Sequence, residues 1–139
     1  MPTQIYVNLP VVDLKKSIEF FSKLGYSFNP QFTDETGTCM IVSESIYVML
    51  LTHEKFMMFS PKPICDSTQF AEVLLCITCE SRNRVDELVQ LAVAAGGATY
   101  SEPQDHGFMY GHGFQDLDGH LWELFFMDEN AFQDAEVTP

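Results

Sequence analysis

The sequence predicts an α+β protein built from two tandem β-α-β-β-β modules, and three observations predict it. A helical apolar period occurs twice, over residues 14–24 and residues 82–95, each time closed by glycine. Each period follows one strand-like run and precedes several more. The last hairpin, residues 113–126, sets Asp118-Gly119 between two such runs, a strong short-range turn signal.

Residues 5–11 read as a strand that stops near Pro10. Asp13 then caps a helix in which Leu14, Ile18, Phe21 and Leu24 share a face, Lys15 and Lys16 point to water, and Gly25 marks the end. Residues 26–33 are a second strand. Asp34-Glu35-Thr36-Gly37 turns into a third over 38–42, and Ser43-Glu44-Ser45 turns into a fourth over 46–52. Residues 53–70, with Pro61 and Pro63, read as a connector. The second module repeats the order. It has a strand over 72–79, then a helix opened by Ser81 and carrying Val85, Leu88, Val89, Ala92 and Ala95. Strands over 98–100, 108–114 and 120–126 follow. The chain thus divides into module one (about 4–52), the connector (53–70), module two (about 71–127) and an acidic tail (128–139) expected to be mobile. A module of this size cannot bury its sheet alone. Two must pack edge to edge into a single domain or pair with another chain.

At 139 residues and 46% hydrophobic content the chain can build one sizeable core. Its longest apolar runs, 46–51 and 121–127, are too short to cross a bilayer. Met-Pro-Thr-Gln has neither a basic nor an apolar character, so no signal peptide is expected and a cytoplasmic location is. Seven basic against 20 acidic residues give a net charge of −13, which disfavours nucleic acid and anionic membranes as partners. Cys76-x-x-Cys79 falls in a strand-like run, where residues three apart face opposite ways. Those two thiols cannot converge, and all four cysteines, with Cys39 and Cys65, read as buried structural residues.

Glu123 stands out because it interrupts the otherwise apolar strand Leu121-Trp122-Glu123-Leu124-Phe125-Phe126. A carboxylate there needs a partner, which the sequence leaves open among a metal, a histidine, a substrate and an arginine. A turn centred on Leu117-Asp118 puts His112 opposite Glu123, and one centred on Asp118-Gly119 puts Phe114 there. In both registers Tyr110, His112 and Phe114 share the Glu123 face. On a concave sheet they would form a polar cluster in an aromatic cup. The other histidines do not assemble a site: His53 begins the connector, His106 lies six residues from His112, and His120 faces away from Glu123.

Several stretches together resemble the vicinal oxygen chelate superfamily, which includes glyoxalase I, the bleomycin-resistance proteins and the extradiol dioxygenases. They are Val7-Asn8-Leu9-Pro10-Val11 before Asp13-Leu14, Leu24-Gly25-Tyr26, Met49-Leu50-Leu51-Thr52, residues 102–111, and Asp116-Leu117-Asp118-Gly119-His120-Leu121-Trp122-Glu123. The resemblance covers about residues 4–127 and is similar to a bacterial subgroup labelled predicted lactoylglutathione lyase. It implies a curved, mostly antiparallel sheet with a concave ligand cavity, and a homodimer, since relatives commonly complete their cavities across a two-fold axis. It also implies four metal-ligand positions, which fall on Tyr6, Met49, Leu74 or a neighbour, and Glu123. One carboxylate among Tyr, Met and Leu cannot hold zinc or nickel, so no cofactor is expected.

The resulting expectation is a metal-free protein that binds a small molecule through Tyr6, Asn8, Met49, Tyr110, His112, Phe114 and Glu123. Trp122 either joins that cup or packs under a helix. The alternative is a lyase or isomerase of the glyoxalase I type, with Glu123 as its base and a divalent zinc or nickel ion as Lewis acid. A third possibility is a sheet surface that binds a partner protein and no ligand.

Overall fold

The computed structural model describes residues 2–128 and Asn130, so all but Asp128 and Asn130 of the acidic tail lies outside the described residues. The chain forms two compact units, Met1–Asp66 and Ser67–Pro139.

In the first unit β1 (Ile5–Val11) leads through α1 (Leu14–Lys23) to β2 (Ser27–Asn29), β3 (Gly37–Ile41) and β4 (Ile46–Thr52). The sheet order is β1-β4-β3-β2, with β1 parallel to β4 and the other pairs antiparallel. Asp13 caps α1 through its side chain, which accepts the Lys16 N–H at 3.1 Å. Leu14, Phe20, Phe21 and Leu24 are buried on the helix face that meets the sheet, whose Leu9, Val11, Met40, Val48 and Leu50 are buried too. Each such side chain contributes about 1.5–3 kcal/mol of burial.

Two expectations are corrected here. The second strand ends at Asn29, well short of Thr33. Pro30 has no N–H to give the ladder, and Asn29 caps a 3-10 turn, Pro30–Phe32, instead. The connector is also not irregular throughout. It begins with α2 (His53–Phe59), whose Thr52 cap accepts the Lys55 N–H at 3.2 Å. Its prolines lie after the helix, where they cannot break it.

In the second unit β5 (Leu74–Thr78) leads through α3 (Arg82–Ala94) to β6 (Gln104–Asp105), β7 (Met109–Gln115) and β8 (Leu121–Met127), and the sheet order is β5-β8-β7-β6. Here β5 runs parallel to β8. Val85, Leu88, Val89 and Ala92 of α3 are buried, as are Phe114, Trp122 and Leu124 on the sheet. The Phe114 and Trp122 rings stack at 6.1 Å, so Trp122 belongs to this core. The strand expected over 98–100 is replaced by a single bridge from Ala98 to Gln115, and the chain rejoins the sheet only at β6.

Helices α1 and α3 end alike. Tyr26 N–H donates to Phe21 O (3.1 Å) and Gly97 N–H to Ala92 O (2.8 Å), while Gly25 (φ 102°) and Gly96 (φ 111°) take the left-handed position. No helix among the described residues is long and apolar enough to cross a membrane.

Candidate functional site

The last hairpin decides which side chains meet Glu123. Its loop has three residues, Leu117-Asp118-Gly119, closed by Asp116 N–H donating to His120 O (3.1 Å) and by Gly119 N–H donating to Asp116 O (3.1 Å). Gly119 sits at φ 87°, and a Cβ there would meet the Ser67 carbonyl oxygen at 2.6 Å. A turn followed by a left-handed residue is the usual three-residue hairpin. Asp116, 7% exposed, holds it together. Oδ1 accepts the Asp118 and His120 N–H groups, each at 3.0 Å, and Oδ2 accepts Trp122 Nε1–H at 3.0 Å. Burial pushes the Asp116 carboxyl up from its ordinary range, opposed by the His120 charge and these donors.

A three-residue loop places Gly113 opposite Glu123, between the two registers that two-residue turns would give. The shift of one residue turns the strand over. His112 pairs with Leu124, Phe114 with Trp122 and Tyr110 with Phe126, all on the face opposite Glu123. The expected cluster of Tyr110, His112 and Phe114 with Glu123 is therefore corrected. Phe114 is buried in the core, 1% exposed. The Tyr110 hydroxyl donates to Asp86 at 2.5 Å, and its ring lies 5.3 Å under the Arg82 guanidinium, which bonds Asp105 (2.8 Å) and Gly107 O (2.9 Å). The Asp86 carboxylate pushes the Tyr110 phenol up to about 12. His112 Nε2 lies 3.0 Å from Ser101 O. These contacts fasten the 101–110 segment to α3 and β7.

On the Glu123 face the register brings Leu121, Glu123 and Phe125 of β8 alongside Leu74, Cys76 and Thr78 of β5. Leu74 is 57% exposed. The partner of Glu123 is Tyr100, whose phenol donates to Glu123 Oε1. The chain reaches Tyr100 just after the Ala98 bridge, and the ring folds back over β7. Gly113 makes this approach possible: a Cβ there would meet Tyr100 Oη at 2.5 Å and Trp122 O at 2.6 Å. Burial and then the Glu123 carboxylate push the Tyr100 phenol well above its ordinary range. Tyr100 also walls an open cavity of about 230 Å³, bounded by residues 67–71, Gln115, Gly119 and Leu121. From residue 67 onwards the only basic residues are Arg82 and Arg84, against thirteen Asp and Glu. Both are paired, to Asp105 and Glu87.

In the first unit Tyr6, Asn8 and Met49 do share one face, with Asn8 paired to Met49 and Tyr6 to Tyr47 across β1–β4. The two tyrosine rings stack at 4.7 Å, and Asn8 donates to Tyr6 O at 3.1 Å. The four metal positions implied by the resemblance carry a phenol, a thioether, an alkyl group and one carboxylate. Among the described residues no group of three or more His, Cys, Asp or Glu side chains can hold a metal ion. The donors present do not fit a divalent metal.

The cysteines need a further correction. Cys39 is buried, but Cys65 and Cys76 are exposed and Cys79 half-buried, because Cys76 lies on the open face of an edge strand. Desolvation, and then the Glu123 charge, push the Cys76 thiol up and away from thiolate chemistry. Sequence reasoning missed Tyr100, Asp116 and the lining of the cavity. One signal was available, since Gly111 and Gly113 at alternate positions of one strand mark a close approach.

A hypothetical protein of S. aureus is 31% identical, with a TM-score of 0.76, 91% of this chain and 95% of that one being covered. A glyoxalase-related enzyme from Fulvimarina pelagi (18%, TM-score 0.76, 91% and 88% covered) shares the fold. So does a genomically encoded fosfomycin resistance protein from Listeria monocytogenes (18%, TM-score 0.65, 91% and 93% covered). No curated protein matches the chain. Residues 3–124 match the family model of the Glyoxalase/Bleomycin resistance protein/Dioxygenase superfamily, and with two four-stranded sheets of its fold the chain belongs to that superfamily.

Proposed function

We propose that this chain binds a small organic molecule without a metal, on the open face of its second sheet, with Glu123 as the polar anchor. One observation carries the reading. Glu123 presents its carboxylate on a half-open, largely apolar sheet face, where its hydrogen-bond partner is the neutral phenol of Tyr100, and both arginines of the second unit are paired to other carboxylates. An anion so placed favours a cationic or neutral ligand over an anionic one. The resistance protein from Listeria and the bleomycin-resistance name of the family accord with a protein that engages small compounds. A homodimer in the cytoplasm belongs to the same proposal. Ile5, Tyr6, Val73 and Leu74 on or beside the edge strands are about half exposed, as surfaces awaiting cover are. A monomer by sedimentation at micromolar concentration would remove the dimer and leave the rest.

The test is a thermal-shift screen of wild type and Glu123→Gln. Gln keeps the shape and one acceptor but removes the charge. Wild type should be raised by cationic hits, by about 2.7 kcal/mol at a hundredfold excess over Kd, and the variant much less. Loss of stability of about 1–3 kcal/mol in the ligand-free variant, with the ligand shift intact, would make Glu123 a structural residue.

A second reading is a lyase or isomerase with Glu123 as base. In its favour, Glu123 stands at the family's carboxylate position with a hydroxyl acid, Tyr100, on it. It requires a Lewis acid that the donor set does not provide for. Stoichiometric zinc or nickel in protein purified without chelator, lost in Glu123→Ala, would establish this reading and overturn the first.

A further inference from the structure

We infer that Tyr100 is a gate that sets the specificity of this site: an organic cation seated in the adjoining cavity reaches Glu123 by displacing the Tyr100 phenol. The inference rests on the reading of Glu123 as the anchor. Tyr100 faces two ways. Its hydroxyl donates to the carboxylate, and its ring forms one wall of the 230 Å³ cavity bounded by residues 67–71, Gln115, Gly119 and Leu121. The cavity and the carboxylate are thus neighbours separated by one side chain. That side chain hangs from a segment outside the strands. The Ala98–Gln115 bridge (Ala98 N–H to Gln115 O, 3.2 Å; Gln115 N–H to Ala98 O, 2.7 Å) fixes the backbone two residues earlier, so the ring swings without disturbing β7. The surface it covers is Gly113, which has no side chain to lock the ring in place.

Selectivity follows from the competition. In the ligand-free protein the carboxylate already accepts a charge-assisted hydrogen bond. A neutral donor that replaces the phenol exchanges one such bond for another and gains little. A cation adds Coulomb attraction in a half-buried setting, and only it has a reason to open the gate. An anion is repelled. The cavity, smaller than a drug-sized pocket, calls for a compact planar or aliphatic body behind the charged group.

Benzamidinium, benzamide and benzoate are near-isosteres that are cationic, neutral and anionic, and they serve as probes. Their affinities for wild type, Tyr100→Phe and Glu123→Gln are read by calorimetry, and the Gly113 amide resonance, under the Tyr100 ring, reports the ring's position. Wild type should prefer benzamidinium and bind benzoate least, and the Gly113 resonance should move with benzamidinium. Tyr100→Phe uncaps the carboxylate and should bind benzamidinium and benzamide each roughly tenfold more tightly, because neither then has to displace the phenol. Glu123→Gln should lose the preference. Wild type that prefers benzamidinium and loses it in Glu123→Gln, while Tyr100→Phe binds no better or worse, overturns the gate and leaves Glu123 as the anchor. Equal affinity for the three probes overturns both, and so does the absence of binding to wild type and Tyr100→Phe alike. If Tyr100→Phe does not fold, Tyr100→Leu takes its place with the same expected gain.

Discussion

The β3–β4 hairpin and the β7–β8 hairpin share a backbone and differ in what it carries. Both have three-residue loops: Val42 N–H donates to Ile46 O at 3.0 Å in one, and Asp116 N–H donates to His120 O at 3.1 Å in the other. Cys39 lies opposite Met49 as Gly113 lies opposite Glu123. In the first hairpin these positions are filled by apolar side chains, with Cys39 and Leu51 buried on the face that in the second unit carries the carboxylate. In the second hairpin a buried aspartate organises the turn, a glycine admits a tyrosine, and the tyrosine holds the glutamate. Charge follows the same division. Residues 1–66 have five basic and seven acidic residues, and residues 67–139 two and thirteen. The duplicated architecture sets a thioether, Met49, where the second unit sets the carboxylate of Glu123.

The two hairpins differ most at their turns. Asp116→Ala removes the acceptor of three hydrogen bonds in a buried setting and should destabilise the protein by about 2–4 kcal/mol in urea unfolding. Val42→Ala at the matching position should cost about 1 kcal/mol or less. Equal losses would mean that the aspartate is not the organiser. Next comes the floor of each sheet. Gly113→Ala drives a methyl into Tyr100 and the Trp122 carbonyl and should cost about 1–3 kcal/mol, whereas Cys39→Ala, which only removes a sulfur, should cost about 1 kcal/mol. A Gly113→Ala variant as stable as wild type would show that Tyr100 does not need that close approach.

The smallest effect is a pH dependence. The Tyr110 phenol is held up to about 12 by the hydrogen bond to Asp86, above its unfolded value of about 10. A raised acid contributes stability that is complete below the unfolded value, and here it is lost as pH rises from about 10 to about 12. Wild type should therefore lose its advantage over Tyr110→Phe across that interval. A difference between them that is constant with pH would detach Tyr110 from Asp86.

Much of this fold is legible in the sequence, and where it is not the reasons are local. The caps at Asp13 and Ser81, the glycines ending α1 and α3, and the repeat of modules follow from short-range chemistry that the sequence spells out. The site depended on a parity. Asp-Gly suggests a two-residue turn, and one residue more in the loop exchanges the faces of β7. The first module already held the answer, because Ser43-Glu44-Ser45 is a three-residue loop between the equivalent strands. Tyr100 was beyond pattern reasoning. It belongs to no strand, and its partner lies 23 residues away, brought near by a fold that a local window does not see.

The docking of Gly119 against Ser67 and Thr68, with Ser67 Oγ donating to the Asp118 carbonyl at 2.7 Å, bears on how this chain can be taken apart. Residues 67–70 read as the end of the connector, but with Ala71 they are a rim of the second unit and line its cavity. At the other end α2 occupies residues 53–59. The stretch left between α2 with its Ser60 cap and that rim is therefore residues 61–66, about a third of the apparent linker.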